Sequence, residues 1–123
     1  MLKLENLCAG YGKLDVLWDV SCEAKDGEFI AIVGPNGAGK TTTLRAISGM
    51  IRPKSGAVIF NGEHFEDKSI KQIHDLGVSF ITDEGNLFSG MTVKENLLMG
   101  ALNIKDGAKK KALMDKVIAL FPR

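Results

Sequence analysis

Gly34-Pro35-Asn36-Gly37-Ala38-Gly39-Lys40-Thr41-Thr42 decides the fold. It fits G-x-x-x-x-G-K-[ST], the pattern of a phosphate-binding loop. The apolar run Phe29-Ile30-Ala31-Ile32-Val33 before it reads as a buried parallel strand. Thr43 to Gly49 follows with Leu44 and Ile47 at helical spacing, so the loop is expected between strand and helix. Gly34, Gly37 and Gly39 allow close approach to a ligand, and successive N–H groups then form an anion-binding concavity. The helix start adds partial positive charge. Lys40 supplies a point charge for β- and γ-phosphates, and the Thr41 hydroxyl suits Mg²⁺, a hard cation that prefers oxygen.

The 123 residues suffice for one domain with a core, and 45% hydrophobic with 25% charged residues is ordinary for a globular chain. A net charge of +1 gives no electrostatic case for nucleic acid or an anionic membrane as main partner. Lys109-Lys110-Lys111 reads as a solvated helix face. No signal peptide and no apolar run of membrane-spanning length is visible. Cys8 and Cys22 lack C-x-x-C spacing and read as reduced core thiols of a cytosolic protein. His64 and His74 have no neighbouring ligand cluster.

Outward from the loop, Leu2 to Leu7 and Val16 to Ala24 read as strands, and Asp26-Gly27 as a turn leading into Phe29–Val33. Pro53 stops the helix after the loop. Ala57-Val58-Ile59-Phe60 reads as a strand followed by the hairpin signal Asn61-Gly62. Ser69 is placed to cap a short helix ending at Gly77, Val78 to Ile81 reads as strand, and Thr82 to Gly90 as loop. Thr92-Val93-Lys94-Glu95 is a capping box, and a last helix is expected from about Asp106 to Leu120, ended by Pro122.

Together with the loop, Leu4-Glu5-Asn6-Leu7, Gly10-Tyr11-Gly12, Leu17-Trp18-Asp19-Val20-Ser21, Ser48-Gly49, Pro53-Lys54-Ser55-Gly56, Phe88 and Thr92-Val93-Lys94-Glu95-Asn96-Leu97 resemble the N-terminal half of an ATP-binding-cassette (ABC) ATPase subunit over the whole chain. Thr41 to Gly49 and Glu95 to Gly100 are similar to the ATPases of branched-chain amino-acid importers. The resemblance implies an α/β fold: a P-loop NTPase core with an antiparallel β-subdomain, with residues 1–123 an incomplete nucleotide-binding domain that stops before the signature helix. Leu-Ser-Gly-Gly-Gln does not occur in these residues.

The resemblance further implies ATP and Mg²⁺ as ligands, bound by Gly34 to Thr42, and hydrolysis that powers solute transport, with amino-acid import as the expected task. Tyr11 stands where the family has an aromatic that stacks on adenine. Asp83 stands where the family has a glutamine or glutamate that reaches toward Mg²⁺ and the attacking water, with Glu84, after a local shift, the alternative for that role. A second assignment treats Val78 to Glu84 as a Walker B strand, with Asp83 holding Mg²⁺ and Glu84 the general base; a solvated acidic turn is the third. The implied partners are integral membrane permease subunits and a second ATP-binding subunit, at the cytoplasmic face of the membrane, with Leu87, Phe88 and Met91 toward the permease. Two rival functions stay open: a nucleotide-binding module without turnover, and another phosphate-loop enzyme such as a small kinase or GTPase, although no guanine-reading Asn-Lys-x-Asp appears.

Overall fold

The computed structural model describes residues 1–121 apart from 83, 84 and 86. It divides into two compact units, 1–80 and 81–123. In the first, β1 (Leu2–Tyr11), β2 (Leu14–Ala24), β3 (Ser55–Phe60) and β4 (Glu63–His64) form an antiparallel sheet of order β2-β1-β3-β4. Helices α1 (Lys40–Ile47) and α2 (Ile70–Asp75) contribute Ala46 and Ile73 to a core with Leu4, Leu7, Ala9, Leu17, Val58 and Phe65. Leu4, Leu7, Val58 and Ile73 are fully buried. Each such side chain contributes roughly 2 kcal/mol of burial free energy.

Strand β1 does not alternate evenly. Leu4 pairs with Cys22 but Leu7 with Val20, so β1 holds one extra residue there. Leu7 to Ala9 then spans Val20 to Leu17, which places the compensating extra residue on β2. Asn6 (φ 46°) and Asp19 (φ 52°) absorb these bulges in left-handed backbone that asparagine and aspartate tolerate. The Asn6 Nδ2 donates to Asp19 Oδ1 at 2.6 Å and the Ser21 Oγ accepts from the Asn6 N–H at 2.9 Å. The bulge lets Leu4, Leu7 and Ala9 all reach the core despite a spacing of three between the leucines. Tyr11 continues the Leu7–Ala9 alternation at the strand's end.

The local turn and cap chemistry forms as the residue types dictate. Asn61 and Gly62, both at positive φ, join β3 to β4. Ser69 and Gln72 make a reciprocal capping box on α2, and Gly77 lies just past its end at φ 103°.

Two strands expected from apolar runs do not form. Phe29–Val33 and Val78–Ile81 have no ladder partner among the described residues and are irregular. Phe29 is 94% exposed, Val33 87% and Ile81 84%. A buried parallel strand exists through neighbours on its edges and cover on its faces, and the described sheet is antiparallel throughout. The cysteines also depart from expectation: both thiols are free, but Cys8 is half-buried and Cys22 exposed; Cys22 pairs with the buried Leu4 yet sits on β2, the edge strand of the sheet, where cover is incomplete.

The second unit holds α3 (Val93–Gly100) and α4 (Gly107–Leu120). Thr92 and Glu95 form the expected capping box on α3, and Asp106 caps α4 through the N–H groups of Ala108 and Lys109. Asn96 ties the preceding loop down: its Oδ1 accepts from the Phe88 N–H at 2.9 Å, and its Nδ2 donates to the carbonyls of Phe88, Met91 and Thr92. Leu97, Ala101, Ile104, Met114 and Val117 line a groove of about 320 Å³ between the helices. Pro122, expected to end α4, lies outside the described residues.

Candidate nucleotide site

The glycine-rich loop closes on itself through Lys40. Its Nζ donates to the carbonyls of Gly34 and Pro35, both at 2.8 Å, so the ammonium lies across the loop's mouth. The Ala38 N–H donates to the Pro35 carbonyl at 3.3 Å, a turn that folds the segment back toward α1. Gly39 precedes α1 at φ 89°. A Cβ there would stand 2.7 Å from a Leu17 methyl and would also strain the left-handed backbone. The residue is buried against β2 for that reason.

Helix α1 begins unlike the other helices. Ser69, Thr92 and Asp106 cap α2, α3 and α4 with side-chain oxygens. Gly39 offers no side-chain cap, and the first turn of α1 carries no acidic residue. The orphan N–H donors of that turn, with the Lys40 charge beside them, are suited to an anion. Thr41 is exposed next to Lys40, whereas Thr42 and Thr43 are buried. The Thr43 Oγ1 donates back to the Gly39 carbonyl at 3.0 Å, which locks the loop's exit. The helix buries Thr42, Thr43 and Ala46, while Leu44, expected on the apolar face, is exposed.

Tyr11 ends β1 and is 44% exposed. Its hydroxyl accepts a hydrogen bond from Arg45 Nη1 at 2.9 Å. Hydrogen bonds from Thr42 first, and from Arg45 second, hold the phenol below its ordinary pKa. The structure therefore brings Tyr11, Thr42 and Arg45 together, and separately gathers Gly34, Pro35 and Lys40. Arg45 is the residue that the sequence reading missed: it stands 34 positions from Tyr11, and no spacing rule links a strand end to a helix's last turn. Asp83 and Glu84 lie outside the described residues. Leu87, Phe88 and Met91 are exposed.

The arrangement fits the group it is expected to hold. A glycine cradle, uncapped helix donors and a lysine match phosphate oxygens, and the exposed Thr41 hydroxyl is a suitable oxygen donor for Mg²⁺.

Comparison with known proteins gives the family and the fold. The ABC transporter family model matches residues 17–122. The high-affinity branched-chain amino acid transport ATP-binding protein BraG of Pseudomonas aeruginosa is 37% identical over 123 residues, covering 100% of this chain and 52% of its own length. The sulfate/thiosulfate import ATP-binding protein CysA of Mesorhizobium japonicum is 38% identical over 109 residues, 89% of this chain and 30% of its own. Among solved structures, an ATP binding subunit of an ABC transporter superposes with a TM-score of 0.83 at 29% identity, over 98% of this chain and 50% of that one. A dimeric post-hydrolysis state of the ATP-binding cassette MJ0796, bound to ADP and Pi, gives 0.71 at 26% identity, over 91% and 53%. The chain thus spans about half the length of the ATP-binding relatives BraG and the first of these structures. With a glycine-rich loop leading into an uncapped helix, an antiparallel sheet beside it, and a family match across most of its residues, the chain belongs to the ABC transporter family.

Proposed function

We propose that this chain binds ATP through the loop from Gly34 to Thr42, as part of an ABC-type nucleotide-binding domain covering residues 1–123. One observation carries the reading: α1 alone among the described helices starts without a side-chain cap, and Lys40 lies across the loop that precedes it. In this reading the loop's N–H groups and Lys40 hold the phosphates, and Tyr11 supplies a flat face for adenine. Thr41, with Asp83 or Glu84, is assigned to Mg²⁺, which when bound neutralises charge on the phosphate oxygens. In the whole protein, hydrolysis powers solute transport, with two ATP-binding subunits acting on membrane permeases from the cytoplasmic face. The similarity to BraG supports amino-acid import, while that to CysA supports sulfate or thiosulfate as the alternative cargo. No helix among the described residues is long and apolar enough to cross a membrane, which accords with a subunit that docks rather than spans.

The rival reading is binding without turnover by these 123 residues, favoured by the missing Leu-Ser-Gly-Gly-Gln. Equilibrium binding of ATP, compared with Lys40→Ala, tests the first part: the variant is expected to bind about tenfold or more weakly, the loss of a charge-assisted contact. Equal affinities would remove the loop from the site. Phosphate release above the Lys40→Ala background, dependent on Mg²⁺, separates turnover from binding alone.

A further inference from the structure

Tyr11 and the glycine-rich loop belong to different elements, yet both are fastened to one helix. Thr42 and Arg45 sit three residues apart on α1, on the same face, and Arg45 Nη1 donates to the Tyr11 hydroxyl at 2.9 Å. Lys40 and Thr41 open that same helix. Beyond Ala9, β1 is paired on one side only, with β2 through Gly10↔Asp15 and Tyr11↔Leu14. The ring therefore stands at the tip of a two-stranded ribbon, on a side chain with two rotatable bonds, with its hydroxyl end held from α1.

We infer that Arg45 is a positioning residue: through the Tyr11 hydroxyl it fixes the orientation of the Tyr11 ring relative to the phosphate-binding loop, so that base and phosphates of one nucleotide are received by groups anchored on a single helix. The inference rests on the nucleotide reading above. It assigns Arg45 no contact with the nucleotide. The alternative use of Arg45 is purely structural, a cation in the last turn of α1 that favours the helix dipole. That role would affect stability without favouring one ligand over another.

The two roles separate in the ratio of affinities for ATP and for inorganic tripolyphosphate. Loss of a positive charge weakens both ligands alike, whereas a misplaced shelf weakens only ATP. Arg45→Met and Tyr11→Phe are each expected to lower the ratio about three- to tenfold, the scale of one well-placed aromatic contact. The double variant is expected to lose no more than the larger single effect, since both changes break the same bond. A ratio unchanged in both single variants, or effects that multiply in the double, overturns the inference while leaving ATP binding intact. A wild-type ratio near one instead shows that the base is not received, and overturns the adenine assignment of Tyr11 and with it this inference; the phosphate-loop reading is decided separately by Lys40→Ala. An independent check uses the chain's one tyrosine. Tyrosinate absorbance in Arg45→Met is expected to titrate at higher pH than in the wild type; an unmoved titration would show that the bond is not made in solution.

Discussion

Single atoms decide much of this fold, and Gly56 is a clear case. At φ 77°, it packs so closely on β1 that a Cβ would stand 2.3 Å from the carbonyl oxygens of both Glu5 and Asn6. Those oxygens belong to backbone held in the β1–β3 pairing, where Glu5 faces Ala57, so they have no room to retreat. Gly56→Ala is expected to destabilise the chain by about 2–4 kcal/mol, combining left-handed strain with overpacking. A denaturant midpoint equal to that of the wild type would contradict this. Residues of this kind are half legible in the sequence. Ser55-Gly56 reads as a turn, but the carbonyls that forbid a side chain lie some fifty positions away in the chain. Arg45 is the same case from the other side. Beside a helix's apolar positions it reads as a solvated charge, and only the arrival of Tyr11 from β1 gives it a partner.

Elements that depend on local chemistry were readable, and those that depend on neighbours were not. The caps at Ser69 and Thr92 and the turn at Asn61-Gly62 satisfy their own backbone within a few residues, so the residue types suffice. Phe29–Val33 and Val78–Ile81 have strand composition, but composition reports a preference for burial rather than the partner that provides it. In α3 the local chemistry also sets a pH dependence. The N–H and the hydroxyl of Thr92 hydrogen-bond the Glu95 carboxylate and lower its pKa below the ordinary glutamate range. A lowered folded-state pKa means that the stabilisation is fully present above the unfolded-state pKa and is lost as pH falls through the folded-state value. The helicity of α3 is therefore expected to decline on acidification through that range. Glu95→Gln, which keeps an acceptor but cannot ionise, is expected to flatten this decline in chemical shifts of residues 93–100. An equally steep decline in the variant would assign the effect to another group.

Across the whole molecule the two units differ in what they bury. The sheet and its helices enclose Leu4, Leu7, Val58 and Ile73 completely, whereas neither α3 nor α4 has a fully buried residue. Few buried apolar contacts mean a low free energy of local opening. Amide hydrogen exchange is expected to be at least about tenfold less protected in residues 93–120 than in the centre of β1. Matching protection would show that the second unit is covered in solution by something the helices do not themselves provide. The pairing of β1 has a mechanical consequence as well. Up to Cys8 the strand is clamped between β2 and β3; above Ala9 it has β2 alone. The Gly10–Leu14 ribbon is thus built as a cantilever, fixed at one end, with Tyr11 near its tip. Two side-chain ties brace it: Arg45 on the Tyr11 hydroxyl, and Lys54 paired with Asp15 on the ribbon's other strand.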